Sequence, residues 1–95
     1  MIPRFTEAAA RDLEDIRSHI GTHAGIDIAE QVVSRIGITI TAVCRFPHIG
    51  HAGHVRDTLE MRVPRLPFVV IYRIETSKGE IIVLRVYHTS RNRRM

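Results

Sequence analysis

The residues best equipped for chemistry stand near the C-terminus, where Arg85, Tyr87 and His88 are followed by the cationic run Arg91, Arg93 and Arg94. An arginine presents a planar fork of donors that fits phosphate and carboxylate, and it stays charged at any physiological pH. A phenol or an imidazole beside it can hold or move a proton. Alternation along the apolar run 81–87 separates Ile82, Leu84, Val86 and His88, which read as the core face, from Ile81, Val83, Arg85 and Tyr87 on the other. Chemistry or partner contact is therefore expected on the surface of Arg85 and Tyr87, continued by Arg91, Arg93 and Arg94.

Two further sets of residues have ligand chemistry. His48, His51 and His54 recur at every third position in PHIGHAGHVRD, and neutral imidazoles suit Zn, Ni or Cu. No carboxylate or cysteine lies inside this trio, and Gly50 and Gly53 leave its members unfixed, so exposed loop histidines are expected, with no metal and no cofactor. Cys44 is the only cysteine, which rules out an intrachain disulfide and a four-cysteine zinc site, and it reads as a small buried apolar residue.

The elements that must position these groups fit one domain, 1–95, and the 44% hydrophobic content argues against disorder. Residues 1–44 carry four Lys/Arg against six Asp/Glu, a balance of −2, and residues 45–95 carry ten against four, a balance of +6. The C-terminal half is thus expected to face something acidic, nucleic acid or a protein segment. No apolar run approaches the roughly 20 residues that span a bilayer. Glu7 and Asp12 come too early for a signal peptide's apolar segment, so a cytoplasmic protein without a membrane partner is expected.

Ile2 to Phe5 suits a short edge strand, because Pro3 has no N–H for a central ladder. Thr6 is a plausible N-cap, Glu7 suits the first helical turn, and Ala9, Leu13, Ile16 and Ile20 follow helical spacing up to Gly21, with Asp12 on a polar face. A second helix is expected over Ala29, Val32, Val33, Ile36, Ile40 and Val43, although Ile36–Thr41 also alternates like a strand. After the histidine loop, Thr58–Val63 alternates with Leu59, Met61 and Val63 inward and Glu60 and Arg62 outward. Phe68–Ile74 and Ile81–Tyr87 flank Thr76-Ser77-Lys78-Gly79 as a hairpin. The expected class is α+β: a short N-terminal strand, an αα-hairpin, then a three-strand antiparallel meander with the helices on one face.

The hairpin Pro-Phe-Val-Val-Ile-Tyr-Arg-Ile, turn, Ile-Ile-Val-Leu-Arg-Val-Tyr-His-Thr-Ser-Arg resembles the C-terminal hairpin of the RelE/ParE toxins of bacterial toxin–antitoxin pairs. Residues 5–16, FTEAAARDLEDI, resemble the family's opening strand and first helix, and Phe46-Pro47-His48-Ile49-Gly50 resembles the turn after its second helix. The ending His88-Thr89-Ser90-Arg91 resembles ParE members more than RelE ones. The resemblance implies a toxin neutralised by a cognate, ParD-like antitoxin, with DNA gyrase as target and Arg85, Tyr87, Arg91, Arg93 and Arg94 as contact residues.

The same resemblance implies an alternative. RelE-like members cut messenger RNA on the ribosome, which needs a base for the 2′-OH, a cation for the phosphorane and an acid for the leaving oxygen. Arg62 and Arg85 would be the cations and Tyr87 or His88 the acid or base. Against this, Lys78 is the only lysine, so the lysine-rich site of some ribosome-dependent members has no match, and a non-enzymatic toxin is favoured. A non-toxic nucleic-acid-binding module using Arg91, Arg93 and Arg94 on phosphates is a further alternative.

Overall fold

The fold starts from a cap. The Thr6 hydroxyl accepts the Ala9 N–H at 3.0 Å and donates to the Leu84 carbonyl at 2.8 Å, so one side chain both opens a helix and ties it to a distant strand. The computed structural model describes residues 1–90. In chain order these form β1 (Ile2–Phe5), α1 (Glu7–Ala24), α2 (Ile26–Arg45), β2 (His51–Ala52), β3 (Leu59–Arg62), β4 (Phe68–Glu75) and β5 (Glu80–His88), with a 3₁₀ turn at Thr76–Lys78. The sheet order is β1-β5-β4-β3-β2; β1 lies parallel to β5 on one edge, and the other pairs are antiparallel.

The αα-hairpin and the meander of β3, β4 and β5 are as expected; one helix end differs and one strand is added. Helix α1 runs past Gly21 to Ala24, because the helices are joined by Gly25 alone, whose φ of 97° suits a residue without a Cβ. His51–Ala52, expected as loop, pairs with Leu59–Glu60 as a fifth strand. The β-branched stretch of α2 remains helical. Ile36 and Ile40 sink into the core, while Thr39 and Thr41 donate their hydroxyls to the carbonyls of Arg35 and Gly37 one turn back.

The core lies between the helix pair and one face of the sheet. Ala9, Val32, Ile36, Ile40 and Val43 meet Phe68, Val70, Tyr72, Ile81, Val83 and Val86 there, and Cys44 is buried beside them. This corrects the alternation expected of β5. Ile81 and Val83, not Ile82 and Leu84, face the core, and the phase then changes so that Val86 does too. The cause is a β-bulge: Tyr72 pairs with Val83 and Ile71 with Arg85, so Leu84 is the extra residue and everything after it shifts by one.

Candidate functional site

The bulge decides which side chains meet on the face of the sheet turned away from the helices. Cross-strand register sets His51, Glu60, Ile71 and Arg85 in one row over four strands, and Arg62, Val69 and Tyr87 in the next. Ile71 and Val69 are buried yet stand outside the helix-side core, so they form the apolar floor between these polar groups. The sequence-predicted residues Arg62, Arg85 and Tyr87 are thus brought together. Arg62 is exposed at the end of β3, and Tyr87 lies two columns away across Val69.

Arg85 does not extend freely into solvent. Its Nε and Nη2 donate to the two oxygens of Asp12 at 2.8 and 2.9 Å, a bidentate pair, and the Val86 N–H donates to Asp12 Oδ2 at 2.9 Å. The local fold explains why Asp12 is available. Strand β1 pairs only as far as Val83, and the Thr6 N–H then bonds the Val83 carbonyl, so α1 continues where β1 leaves the β5 edge. Asp12 arrives less than two turns later and takes the N–H that no further β1 residue reaches. Hydrogen bonding to Asp12 raises the Arg85 pKa further above its ordinary value. The guanidinium carbon also lies 4.6 Å from the centre of the Tyr87 ring, a cation–π contact that holds the two side chains as a unit.

His88 is elsewhere. It lies past the bulge on the helix side, edge-on to Phe68 at 5.4 Å between ring centres. Its Nδ1 accepts the Ser90 N–H at 3.1 Å and is 2.7 Å from the Ser90 hydroxyl. With Asp15, His19, Phe68 and Val86 it lines a cleft of about 500 Å³ between α1 and the end of β5. His88 therefore shares no surface with Tyr87. Arg91, Arg93 and Arg94 lie outside the described residues.

Two carboxylates are more buried than the sequence implies: Asp12, expected on a polar helix face, is largely buried against β5, and Glu60, outward as expected, is 3% exposed. Glu60 does face away from the helices, but the segment after α2 folds over it: the His54 N–H donates to its Oε2 at 3.3 Å, and His51 Nε2 is 3.9 Å from Oε1. That segment is held by Tyr72, whose buried hydroxyl donates to the Pro47 carbonyl at 2.6 Å and accepts the Gly50 N–H at 3.1 Å. Burial pushes the Tyr72 phenol pKa up. A Cβ on Gly50 would lie 2.7 Å from both the Glu60 carbonyl oxygen and the Tyr72 hydroxyl, so glycine is required for this approach. His48, His51 and His54 are exposed, and among the described residues no three of His, Cys, Asp and Glu converge on a metal position. No helix among them is long and apolar enough to cross a membrane.

Comparison with known proteins agrees with this architecture. The chain is similar to the ParDE toxin–antitoxin system of P. aeruginosa, with a TM-score of 0.83 at 24% identity over 95% of this chain and 97% of that one. It is similar to the RelBE2 toxin–antitoxin complex of Mycobacterium tuberculosis, with a TM-score of 0.64 at 24% identity over 92% and 95%. The intact E. coli RelBE complex gives 0.63 at 16% identity over 95% and 98%. In sequence, the Y4kP protein of Sinorhizobium fredii is 32% identical over 85 residues, 90% of this chain and 84% of that protein. The sequence profile of the ParE toxin of type II toxin–antitoxin system, parDE, matches residues 4–93, and the chain belongs to that family of toxins.

Proposed function

We propose that this toxin acts by occupying a surface of DNA gyrase, not by cutting RNA, and that a cognate ParD-like antitoxin neutralises it. The observation that carries this reading is the separation of the groups a nuclease would need. Arg85 gives two of its donors to Asp12, and His88 stands on the opposite side of β5 from Tyr87. A cation and an acid–base pair must reach one phosphate together to cut it. Arg62 and Tyr87, on one face of the sheet, instead suit a polar contact surface, to which Arg91, Arg93 and Arg94 would add charge. The family match to ParE, and the toxin–antitoxin complexes among the structural neighbours, support an antitoxin partner.

The experiment has two arms. The purified toxin is incubated with gyrase and relaxed plasmid, and separately with translating ribosomes and messenger RNA. The expected result is loss of supercoiling with intact messenger, reversed by the antitoxin. Messenger cut in the ribosomal A site, with supercoiling unaffected, would instead establish the nuclease reading with Arg62 as phosphate ligand.

A further inference from the structure

Near the end of α1, His19 and His23 stand one turn apart on an exposed strip, with ring centres 4.3 Å apart and planes inclined at 37°. Residues at this spacing share one face of a helix, and two histidines so placed can grip a single metal ion. A second feature points the same way. His23 Nδ1 lies 2.8 Å from the His19 carbonyl oxygen, and because a carbonyl can only accept, Nδ1 carries the hydrogen. The neutral ring then keeps its lone pair on Nε2. A backbone carbonyl holding one ring N–H is the usual way in which a metal-binding imidazole is fixed in tautomer and orientation.

The surroundings favour a cation. Asp15 lies one turn before His19 on the same face, and Asp12, Asp15, His19 and His88 all line the cleft between α1 and β5. Asp12 is already bound to Arg85, and on the α2 side Glu30 holds Arg17 at 2.6 Å, so Asp15 is the carboxylate and His88 the imidazole that face this end of α1. No third ligand converges among the described residues, which excludes a closed structural site there and leaves positions for water.

We propose that His19 and His23 form an exchangeable two-histidine site for a borderline divalent transition ion, held in the order copper(II) above nickel(II) or zinc(II). The proposal is independent of the toxin's target.

The test uses the untagged full chain. Copper(II) chloride and zinc chloride are titrated by calorimetry, and histidine ring resonances are followed by NMR during the zinc titration. One ion per chain is expected at pH 7.5, with shifts at His19 and His23, and weaker binding at pH 5.5, where protons compete with the ion for imidazole nitrogen. His19→Ala and His23→Ala are each expected to weaken copper binding by about tenfold or more. The triple loop variant His48→Ala, His51→Ala, His54→Ala should bind as the wild type does. Both α1 positions are exposed, so folding is retained, and a thermal melt verifies it. The proposal is overturned if the wild type shows no saturable binding, if the α1 variants bind unchanged, or if the loop variant loses the ion.

Discussion

Two clamps hold irregular parts of this chain to its sheet, and they are built from opposite chemistry. On the β5 side Asp12 takes three donors, two from the Arg85 guanidinium and one from the Val86 backbone, and fastens α1 over the bulge. On the β4 side Tyr72 uses one neutral hydroxyl, as donor to Pro47 and acceptor from Gly50, and fastens the segment after α2. The charged clamp orients the residues proposed to meet the target. The neutral one, on the helix side of the sheet, holds the segment whose continuation covers Glu60. Charge is used where a long side chain must be aimed, and a neutral pair where the chain only needs to be held down.

Removing the charged clamp should cost most. Asp12→Ala leaves the Val86 N–H and a half-buried guanidinium without their acceptor, and is expected to destabilise by about 2–3 kcal/mol, read as a lower urea midpoint at unchanged slope. Asp12→Asn, which can still accept from Val86, should recover part of that loss. At the neutral clamp, Gly50→Ala forces the Glu60 carbonyl and the Tyr72 hydroxyl apart and is expected to cost about 1–3 kcal/mol. Tyr72→Phe removes both hydrogen bonds without adding bulk, and about 1–2 kcal/mol is expected, together with faster amide exchange at Gly50. If Tyr72→Phe costs more than Asp12→Ala, the ranking of the two clamps is wrong.

The smallest effect separates the clamps by pH. Burial raises the Tyr72 pKa in the folded chain, so at alkaline pH the unfolded phenol ionises first. Its contribution is therefore intact below the ordinary tyrosine pKa of about 10 and is lost as pH rises towards the folded value. The Arg85 pKa is raised as well, but from an ordinary value already beyond the accessible range, so the charged clamp adds no alkaline slope there. Above pH 10, Tyr72→Phe should lose stability less steeply than the wild type, by up to about 1.4 kcal/mol per pH unit. Equal slopes would mean that Tyr72 is not held as described.

The sequence made much of the fold legible, because most elements carry local signals. Thr6 has a capping side chain, α2 keeps its period from Ala29 to Val43 through a β-branched run, and Gly79 supplies the left-handed residue of the hairpin turn at φ 65°. Arg85 and Tyr87 were legible as neighbours because residues two apart in a strand share a face. The rest depended on contacts distant in sequence. Leu84 looks like any strand residue, and only the pairing with β4 makes it the extra one. Asp12 and Arg85 lie 73 residues apart, so their pairing leaves no mark in either segment. Glu60 alternates as an outward residue and is turned away from the helices as expected, but the chain that covers it is a loop by composition.

The central claim, action by contact and not by cutting, is tested most directly by the dose of toxin needed to arrest growth in the double variant Tyr87→Phe, His88→Ala. The variant keeps the aromatic ring beneath Arg85 but has neither candidate acid nor base. With folding and antitoxin binding verified, it should arrest growth at a dose within severalfold of the wild type. A loss of about 10²- to 10⁴-fold, the scale of a missing general acid or base, would contradict the claim.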